Sequence, residues 1–280
     1  MTSTTTPAEA ALDLLAAQRF VALTGAGLST DSGIPDYRGP NSPARLPMTY
    51  QEFVSGPIAQ QRYWARSHIG WGRMKRALPN PGHVALARLE RSRRVQTLVT
   101  QNVDGLHEQA GSQDLVALHG RISDVICLDC RHQSSRRTLH ETLSRLNPGF
   151  DELHASAAVR PDGDVELSTT TGFRVPRCEC GGVLKPDVVF FGENVPKERV
   201  QRCYDAVDAA AALLVAGSSL AVMSGFRFVR HAHKRRIAVV IVNRGPTRAD
   251  DLATYKLEVG CTEFLTELSA VVSRHGARNA

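Results

Sequence analysis

The chain has 280 residues, a formal net charge of +6 and a hydrophobic content of 42%. This length suits one large domain with a smaller module, and the composition excludes a disordered chain. No apolar run approaches the ~20 residues of a membrane span, and the amino terminus lacks a secretory signal. We therefore expect a soluble, cytoplasmic protein with no membrane partner. Nucleic acid is not expected either, because the arginines are scattered and only 6% of residues are aromatic.

Five apolar runs of strand length recur along the chain, and each ends in glycine or polar residues. They cover residues 20–23, 97–99, 115–118, 213–216 and 237–242. Near-continuous apolar strands are typical of a parallel sheet that is covered on both faces. In such sheets ligands bind beyond the carboxyl ends of the strands, which is where the polar endings lie. The pattern predicts an α/β fold with a doubly wound, Rossmann-like parallel sheet.

Two segments interrupt this pattern. Residues 46–82 are rich in proline around a predicted helix over 58–69, and they are interpreted as a helical insert. Residues 121–184 contain two pairs of cysteines and are interpreted as a zinc-binding module. The Rossmann-like, nucleotide-binding domain is then predicted to consist of three stretches: residues 1–45, 83–120 and 185–280.

The first run leads into a glycine-rich turn, Gly25-Ala26-Gly27, whose backbone can approach a pyrophosphate closely. Thr30 stands where the dehydrogenase fingerprint has its third glycine, and Pro35 would disrupt a standard crossover helix. The pattern therefore indicates a loop over a nucleotide and argues against an ordinary dehydrogenase. A purely structural glycine turn remains the alternative.

Gln101, Asn102 and Asp104 follow the second run. An amide and a carboxylate at this place can pair with a carboxamide and with ribose hydroxyls. The alternative is an Asx turn that caps the following helix, around residues 105–110.

His119 follows the third run and precedes Gly120. An imidazole with an ordinary pKa of ~6.5 is suited to act as a general base at neutral pH. A structural role is the alternative, and nine other histidines compete with it. Its position at the end of a strand, like the other candidate motifs, favours a catalytic role.

The pairs Cys127-x-x-Cys130 and Cys178-x-Cys180 predict a structural zinc site, because two turns that each supply two thiolates complete a tetrahedron. Each pair of cysteines forms a hook in the chain. The second hook is one residue shorter than usual, which makes Cys178 the least certain ligand. Six cysteines are too sparse for a disulfide scaffold, and the remaining two, Cys203 and Cys261, stand apart.

Taken together, these strings resemble the sirtuin family. GAGLSTDSGIPDYRG at 25–39, TQNVDGLH at 100–107, LHG at 118–120, the four cysteines and KPDVVFFGE at 185–193 occur in sirtuin order, followed by GSSL and VNRG. The closer likeness is to class II sirtuins, the group with the mitochondrial lipoamidase and ADP-ribosyltransferase member and its bacterial relatives. Residues 62–66, 161–164 and 245–248 carry this subgroup likeness, whereas the CxC hook departs from the subgroup's CxxC.

The resemblance implies NAD⁺-dependent transfer of an acyl group from lysine to ADP-ribose, with release of nicotinamide. His119 would be the general base, with Asn102 as the second catalytic residue. The implied cofactor-binding residues are Gly25, Ala26, Gly27, Asp36, Tyr37, Arg38, Gln101, Asn102, Asp104, Gly217, Ser218, Ser219, Asn243 and Cys261. Val189, Phe191 and Gly192 would clamp the acyl-lysine peptide as an added strand. Protein mono-ADP-ribosylation is the alternative activity, and a non-catalytic zinc and nucleotide-binding module is a third reading.

Tyr63 and Arg66 are three residues apart, so they share one face of the predicted helix. Sirtuins that remove succinyl or malonyl groups carry a Tyr-x-x-Arg at the matching place, where the arginine pairs with the distal carboxylate. The resemblance thus leads us to expect a preference for acidic or bulky acyl groups over acetyl. An exposed helix pair without this role is the alternative.

Overall fold

The computed structural model describes residues 5–37, 47–154, 163–165, 167 and 169–278. A six-stranded parallel sheet forms the centre of this described part. Its strands are β1 (Phe20–Thr24), β2 (Val95–Thr100), β3 (Leu115–Ala117), β7 (Ala212–Ala216), β8 (Ala238–Val242) and β9 (Tyr255–Leu257). The spatial order is β3-β2-β1-β7-β8-β9, which is the doubly wound arrangement.

The order of the strands reverses between β1 and β7, which pair in parallel from Phe20↔Ala212 to Thr24↔Ala216. A crevice opens at such a switch point because the chain leaves the two strands toward opposite sides of the sheet. The glycine-rich turn after β1 and the turn at Gly217 after β7 therefore lie side by side. The fold places the predicted nucleotide site at this crevice.

Helices cover both faces of the sheet. One face packs on α1 (Pro7–Ala17), α4 (Pro81–Arg91) and α10 (Cys261–Arg278), and the other on α8 (Lys197–Asp208) and α9 (Met223–Lys234). Local sequence sets the helix starts: Thr6 and Glu9 form a capping box at α1, and Asn80 accepts from the first amides of α4. Buried strands between two layers of helices explain the uninterrupted apolar runs.

A second, three-stranded antiparallel sheet carries the cysteine hooks. It consists of β4 (Gly120–Cys127), β5 (Gln133–Ser135) and β6 (Leu184–Val188) in the order β5-β4-β6. It packs with α6 (Arg136–Leu146) and α7 (Phe150–Leu153) and with the insert helices α2 (Tyr50–Val54) and α3 (Pro57–Met74) around an aromatic core. A short helix, α5 (Leu106–Gln109), follows β2, and 3-10 turns occur at 26–28, 30–32 and 250–252.

The predicted fold class is confirmed, and all five apolar runs belong to the parallel sheet. The prediction did not include β9, whose three residues alternate too briefly to give a periodic signal. The insert helix extends beyond the predicted 58–69 at both ends. β4 and β6 lie across the predicted boundaries at 120/121 and 184/185, and the division into three parts stays a prediction.

Candidate active site

The two glycine-rich turns at the switch point interlock at backbone distance. The Gly27 amide donates to the Gly217 carbonyl at 2.9 Å, and Gly25 donates to Ala216 at 3.0 Å. A Cβ on Gly25 would lie 2.7 Å from the Gly217 oxygen, and one on Gly217, whose φ is +66°, would lie 2.4 Å from the Leu28 nitrogen. Among the described residues no acceptor pairs with the Ala26 amide. The turns therefore form a cradle that fits a pyrophosphate.

Asn102 and Asp104 brace this cradle from the end of β2. Asn102 Nδ2 donates to the Gly25 carbonyl and to Ser29 Oγ, both at 3.0 Å, and Ser29 Oγ donates to Asp104 Oδ2 at 2.7 Å. Asp104 Oδ1 also accepts from the Leu106 amide at 2.9 Å, so the Asx cap of α5 is present as well. Burial raises the pKa of the Asp104 carboxyl, against hydrogen bonds that lower it. The Asp104 side chain therefore caps α5, and this cap does not exclude the predicted role in binding the cofactor.

His119 lies beside this network with both ring nitrogens engaged. Nδ1 is 2.9 Å from the Gln101 carbonyl oxygen, and Nε2 is 2.8 Å from Ser224 Oγ. Because a carbonyl oxygen only accepts, Nδ1 carries the proton and Nε2 is the accepting nitrogen. Burial lowers the pKa of His119 to about 4 and keeps the ring neutral at pH 7. The imidazole is therefore in the protonation state that a general base requires.

The backbone conformation and close packing at position 120 require a glycine after His119. The φ of Gly120 is +81°, and a Cβ there would lie 1.9 Å from the Asp187 carbonyl oxygen on β6. The His119 carbonyl accepts from the Val189 amide at 2.8 Å. His119, the predicted base, is thus hydrogen-bonded directly to the segment predicted to hold the substrate.

The predicted substrate segment forms a partly exposed edge. Phe191 pairs with Thr49 in an isolated parallel bridge, and its carbonyl accepts from the Tyr50 amide at 2.9 Å. Phe191 is 37% exposed, and its ring lies 6.2 Å from the ring of Tyr37 in the predicted cofactor loop. Gly192, with φ of +78°, packs against the Gln51 side chain. The predicted residues Tyr37 and Phe191 are therefore neighbours in space, and Val189 and Gly192 belong to the same segment as Phe191.

Tyr63 and Arg66 lie on α3, but the arginine has a partner that the sequence did not indicate. Arg66 forms an ion pair with the buried Asp164 carboxylate, and its Nε donates to the Val165 carbonyl at 2.7 Å. Tyr63 is buried against the rings of Phe53, Trp64 and Phe190. The exposed-pair alternative is thus wrong. The expected partner of Arg66, the carboxylate of an acidic acyl group, is replaced by a carboxylate of the protein.

The residues predicted to bind the adenosine side of the cofactor follow β7 and β8. Ser218 Oγ accepts from Gln101 Nε2 at 2.8 Å, and Gln101 in turn contacts His119 through its carbonyl. Asn243 caps its own turn by donating to the Arg244 and Gly245 carbonyls, and Cys261 Sγ lies 3.5 Å from the Val242 oxygen. Burial raises the pKa of the Cys261 thiol to about 12. Ser219 and Asp36 also belong to described loops of this crevice, whereas Arg38 lies outside the described residues.

The four predicted cysteines converge at the tip of the small sheet. Their sulfurs all lie within 4.8 Å of one another, with 3.6 Å between Cys127 and Cys180 and 3.7 Å between Cys130 and Cys178. A tetrahedron with Zn–S bonds of ~2.3 Å has edges of about 3.8 Å. The short hook reaches this geometry through Gly181, whose φ is +86° and whose amide donates to Cys178 at 2.8 Å. The donor set fits zinc, and the four-cysteine arrangement is confirmed.

Several residues of the site were not anticipated from the sequence. Ser29 joins Asn102 to Asp104, and Ser224 contacts the base. Thr24 Oγ1 lies 2.9 Å from Nε2 of the fully buried His107, directly beneath the cradle. Ser29 lies inside the glycine-rich string, which was its only signal. Ser224 had none, because its position on the first turn of α9 depends on the packing of that helix.

A model described as the Sir2 family matches residues 25–224. The chain belongs to the Sir2 family. NAD-dependent protein deacetylase 1 of Mycobacterium avium (strain 104) is 53% identical to this sirtuin over 264 residues, which are 93% of this chain and 94% of the relative. NAD-dependent protein deacetylase 1 of Streptomyces coelicolor is 49% identical over 271 residues, 95% of this chain and 89% of the relative.

Solved structures give the same family. A complex described as Sir2-p53 peptide-NAD⁺ superposes on this sirtuin with a TM-score of 0.74 and 31% identity, covering 96% of this chain and 98% of the other. A Sir2 enzyme with a deacetylated p53 peptide and 3′-O-acetyl ADP-ribose gives a TM-score of 0.73 at 30% identity, with the same coverage. In the described part of this sirtuin no helix is both long and apolar enough to span a membrane. The predicted sirtuin resemblance is confirmed at the level of the family.

Proposed function

We propose that this sirtuin is an NAD⁺-dependent protein-lysine deacetylase that transfers the acyl group of an acyl-lysine protein or peptide to ADP-ribose. The observation that carries the proposal is His119, a neutral imidazole whose accepting Nε2 lies beside the crevice. The names of relatives at about 50% identity over most of the chain support it. When bound, NAD⁺ supplies an electrophilic ribose carbon and nicotinamide as the leaving group.

The chain's own residues bind, orient and accept a proton. The Ala26 amide and the interlocked turns at Gly25 and Gly217 would bind the pyrophosphate. Asn102 and Asp104 would orient the nicotinamide and its ribose, and His119 Nε2 would accept the proton of a ribose hydroxyl. The edge at 189–192 holds the peptide backbone, so that the acyl-lysine enters next to the base.

Zinc has a structural role in this proposal. Cys127, Cys130, Cys178 and Cys180 hold the ion as thiolates, which supplies a cross-link between two turns of the small sheet. The site is closed by four protein ligands, so zinc contributes folding energy to the module and does not take part in acyl transfer.

Replacement of His119 by alanine tests the proposal. We expect His119→Ala to bind NAD⁺ with the wild-type Kd but to lose deacetylation by about 10²- to 10⁴-fold, the usual effect of removing a general base. Mass spectrometry of an acetyl-lysine peptide with NAD⁺ measures both the deacetylated peptide and O-acetyl-ADP-ribose. The exposed His275→Ala is the control and should behave as wild type.

The same experiment separates the other activity. Mono-ADP-ribosyl transfer would produce nicotinamide and a protein heavier by one ADP-ribose, without deacetylated peptide. That product pattern in the wild-type protein, or full deacetylation by His119→Ala, contradicts the proposal.

We also propose that the acyl pocket prefers neutral acyl groups, acetyl among them, over succinyl and glutaryl. The ion pair of Arg66 with Asp164 supports this, because an acidic acyl group would have to displace a buried protein carboxylate. This proposal differs from what the family resemblance led us to expect, which was a preference for acidic or bulky acyl groups over acetyl. The class II likeness remains a proposal: Arg62 to Arg66 and Gly245 to Arg248 support it, whereas Pro161 and Asp162 lie outside the described residues.

A further inference from the structure

Ser224 is hydrogen-bonded to the accepting nitrogen of His119. Its Oγ lies 2.8 Å from Nε2, while the Gln101 carbonyl holds Nδ1 at 2.9 Å. Nε2 has one lone pair, so the serine hydroxyl is the donor in this contact. The ring is thus held at both nitrogens, which fixes its tautomer and its rotation about the Cβ–Cγ bond.

The partners of His119 are themselves fixed by one another. Gln101 Nε2 donates to Ser218 Oγ at 2.8 Å and to the Thr24 carbonyl at 3.2 Å. Gly225, next to Ser224, packs closely on the Gln101 side chain. A Cβ at position 225 would lie 2.6 Å from Gln101 Oε1. The absence of a side chain at Gly225 therefore lets the first turn of α9 approach Gln101 and brings the Ser224 hydroxyl to the histidine.

We propose that Ser224 is a positioning residue for the base: from the first turn of α9 it holds His119 in the Nδ1–H tautomer with Nε2 unprotonated, and its hydroxyl rotates away from that lone pair when a ribose hydroxyl takes its place. Because α9 begins directly after the loop of Ser218, this contact also joins the orientation of the base to the cofactor-binding turn. The inference rests on the proposed function for its effect on turnover. The hydrogen bond itself exists in the protein without NAD⁺ and is measurable there.

The first test uses the NAD-free protein. In ¹⁵N-detected spectra of the histidine side chains, we expect the wild type to show His119 as the Nδ1–H tautomer with a hydrogen-bonded Nε2. Ser224→Ala should shift the Nε2 resonance toward that of an unbonded acceptor, and Ser224→Thr, which keeps the hydroxyl, should restore it. Met223→Ala, an exposed neighbour on the same helical turn, should leave the spectrum unchanged. An unchanged Nε2 resonance in Ser224→Ala overturns the contact, whether or not the protein is a deacetylase.

The second test separates positioning from cofactor binding. For Ser224→Ala we expect kcat to fall by about tenfold to a hundredfold, within the range of general-base contributions, with the Kd for NAD⁺ within twofold of wild type. Ser224→Thr should retain most of the lost kcat, and Met223→Ala should match the wild type. A wild-type kcat in Ser224→Ala, or a loss wholly in NAD⁺ affinity, overturns the role. An inactive wild type would instead contradict the proposed function and leave the spectroscopic result as the test of the contact.

Discussion

Arg66, a residue of the proposed acyl pocket, already has a carboxylate partner within the protein. The Arg66 and Asp164 side chains are only 19% and 6% exposed, so neither charge is compensated by water. The ring of Tyr63, one helical turn away, packs on Phe190 at 5.1 Å between centroids, next to the segment proposed to hold the substrate. An incoming acyl carboxylate would face Asp164 as a like charge.

Asp164→Asn removes that charge while keeping the shape of the side chain. We expect wild-type kcat/KM to be higher for acetyl- than for succinyl-lysine peptide, and the substitution to raise the succinyl-to-acetyl ratio by about tenfold or more. This is the worth of one hydrogen bond to a charged group. Arg66→Met should abolish the gain when combined with Asp164→Asn. A wild type that prefers succinyl-lysine, or an unchanged ratio in Asp164→Asn, contradicts the proposed selectivity.

The four cysteines come together at the tip of the small antiparallel sheet. The Cys127 amide donates to the His132 carbonyl at 2.9 Å, and the Cys178 amide to the Gly182 carbonyl at 3.0 Å, so each hook is a tight turn. Position 182, just after the second hook, requires a glycine because a Cβ there would lie 2.6 Å from Cys127 Sγ. Two turns this small bury little apolar surface, and the bound ion supplies the stability that they lack.

Loss of zinc should therefore unfold the tip and leave the parallel sheet intact. We expect one zinc per chain in the wild type by elemental analysis, less in Cys178→Ser, and one per chain in Cys203→Ala, whose cysteine lies apart in α8. In hydrogen exchange, β4 and β6 near the hooks should lose protection in Cys178→Ser, while β1, β7 and β8 keep theirs. Full zinc content in Cys178→Ser would show that Cys178 is not a zinc ligand.

Acid stability of the whole molecule depends on histidines that folding keeps neutral. His83 and His107 are buried beneath the cradle with their ring centroids 4.7 Å apart. Burial lowers the pKa of His83 to about 4 and that of His107 well below its ordinary value. The unfolded chain binds these protons below a pH of about 6.5, whereas the folded protein does not. The free energy of unfolding therefore falls as the pH drops from about 6.5 to about 4.

His83→Gln tests this dependence. Glutamine at this third position of α4 still reaches the Asn80 amide, as His83 Nδ1 does at 3.3 Å, but it does not titrate. From a pKa of about 4, His83 should cost about 2 kcal/mol of the free energy of unfolding at pH 5 relative to pH 7.5. Denaturant unfolding at the two pH values should show a smaller difference in His83→Gln than in wild type. The exposed His275→Gln should keep the wild-type difference, and equal differences in all three proteins would contradict the assignment.

The sequence by itself determined the parallel sheet, the positions of the glycine-rich turns and the grouping of the four cysteines, and it predicted the base. These features are local: an apolar run, a turn that tolerates only glycine, or two cysteines on one hook can be recognised within a few residues. His119 and Asn102 could be placed at strand ends because the carboxyl ends of parallel strands share one edge.

Tertiary structure decided which of these side chains are already engaged. Arg66 meets Asp164 about a hundred residues further along the chain, and Ser224 reaches His119 only because Gly225 allows α9 to lie on Gln101. Neither contact has a sequence pattern, since each depends on how separate elements pack. The same packing largely excludes water from these groups, and that keeps His119 neutral and Arg66 paired with Asp164.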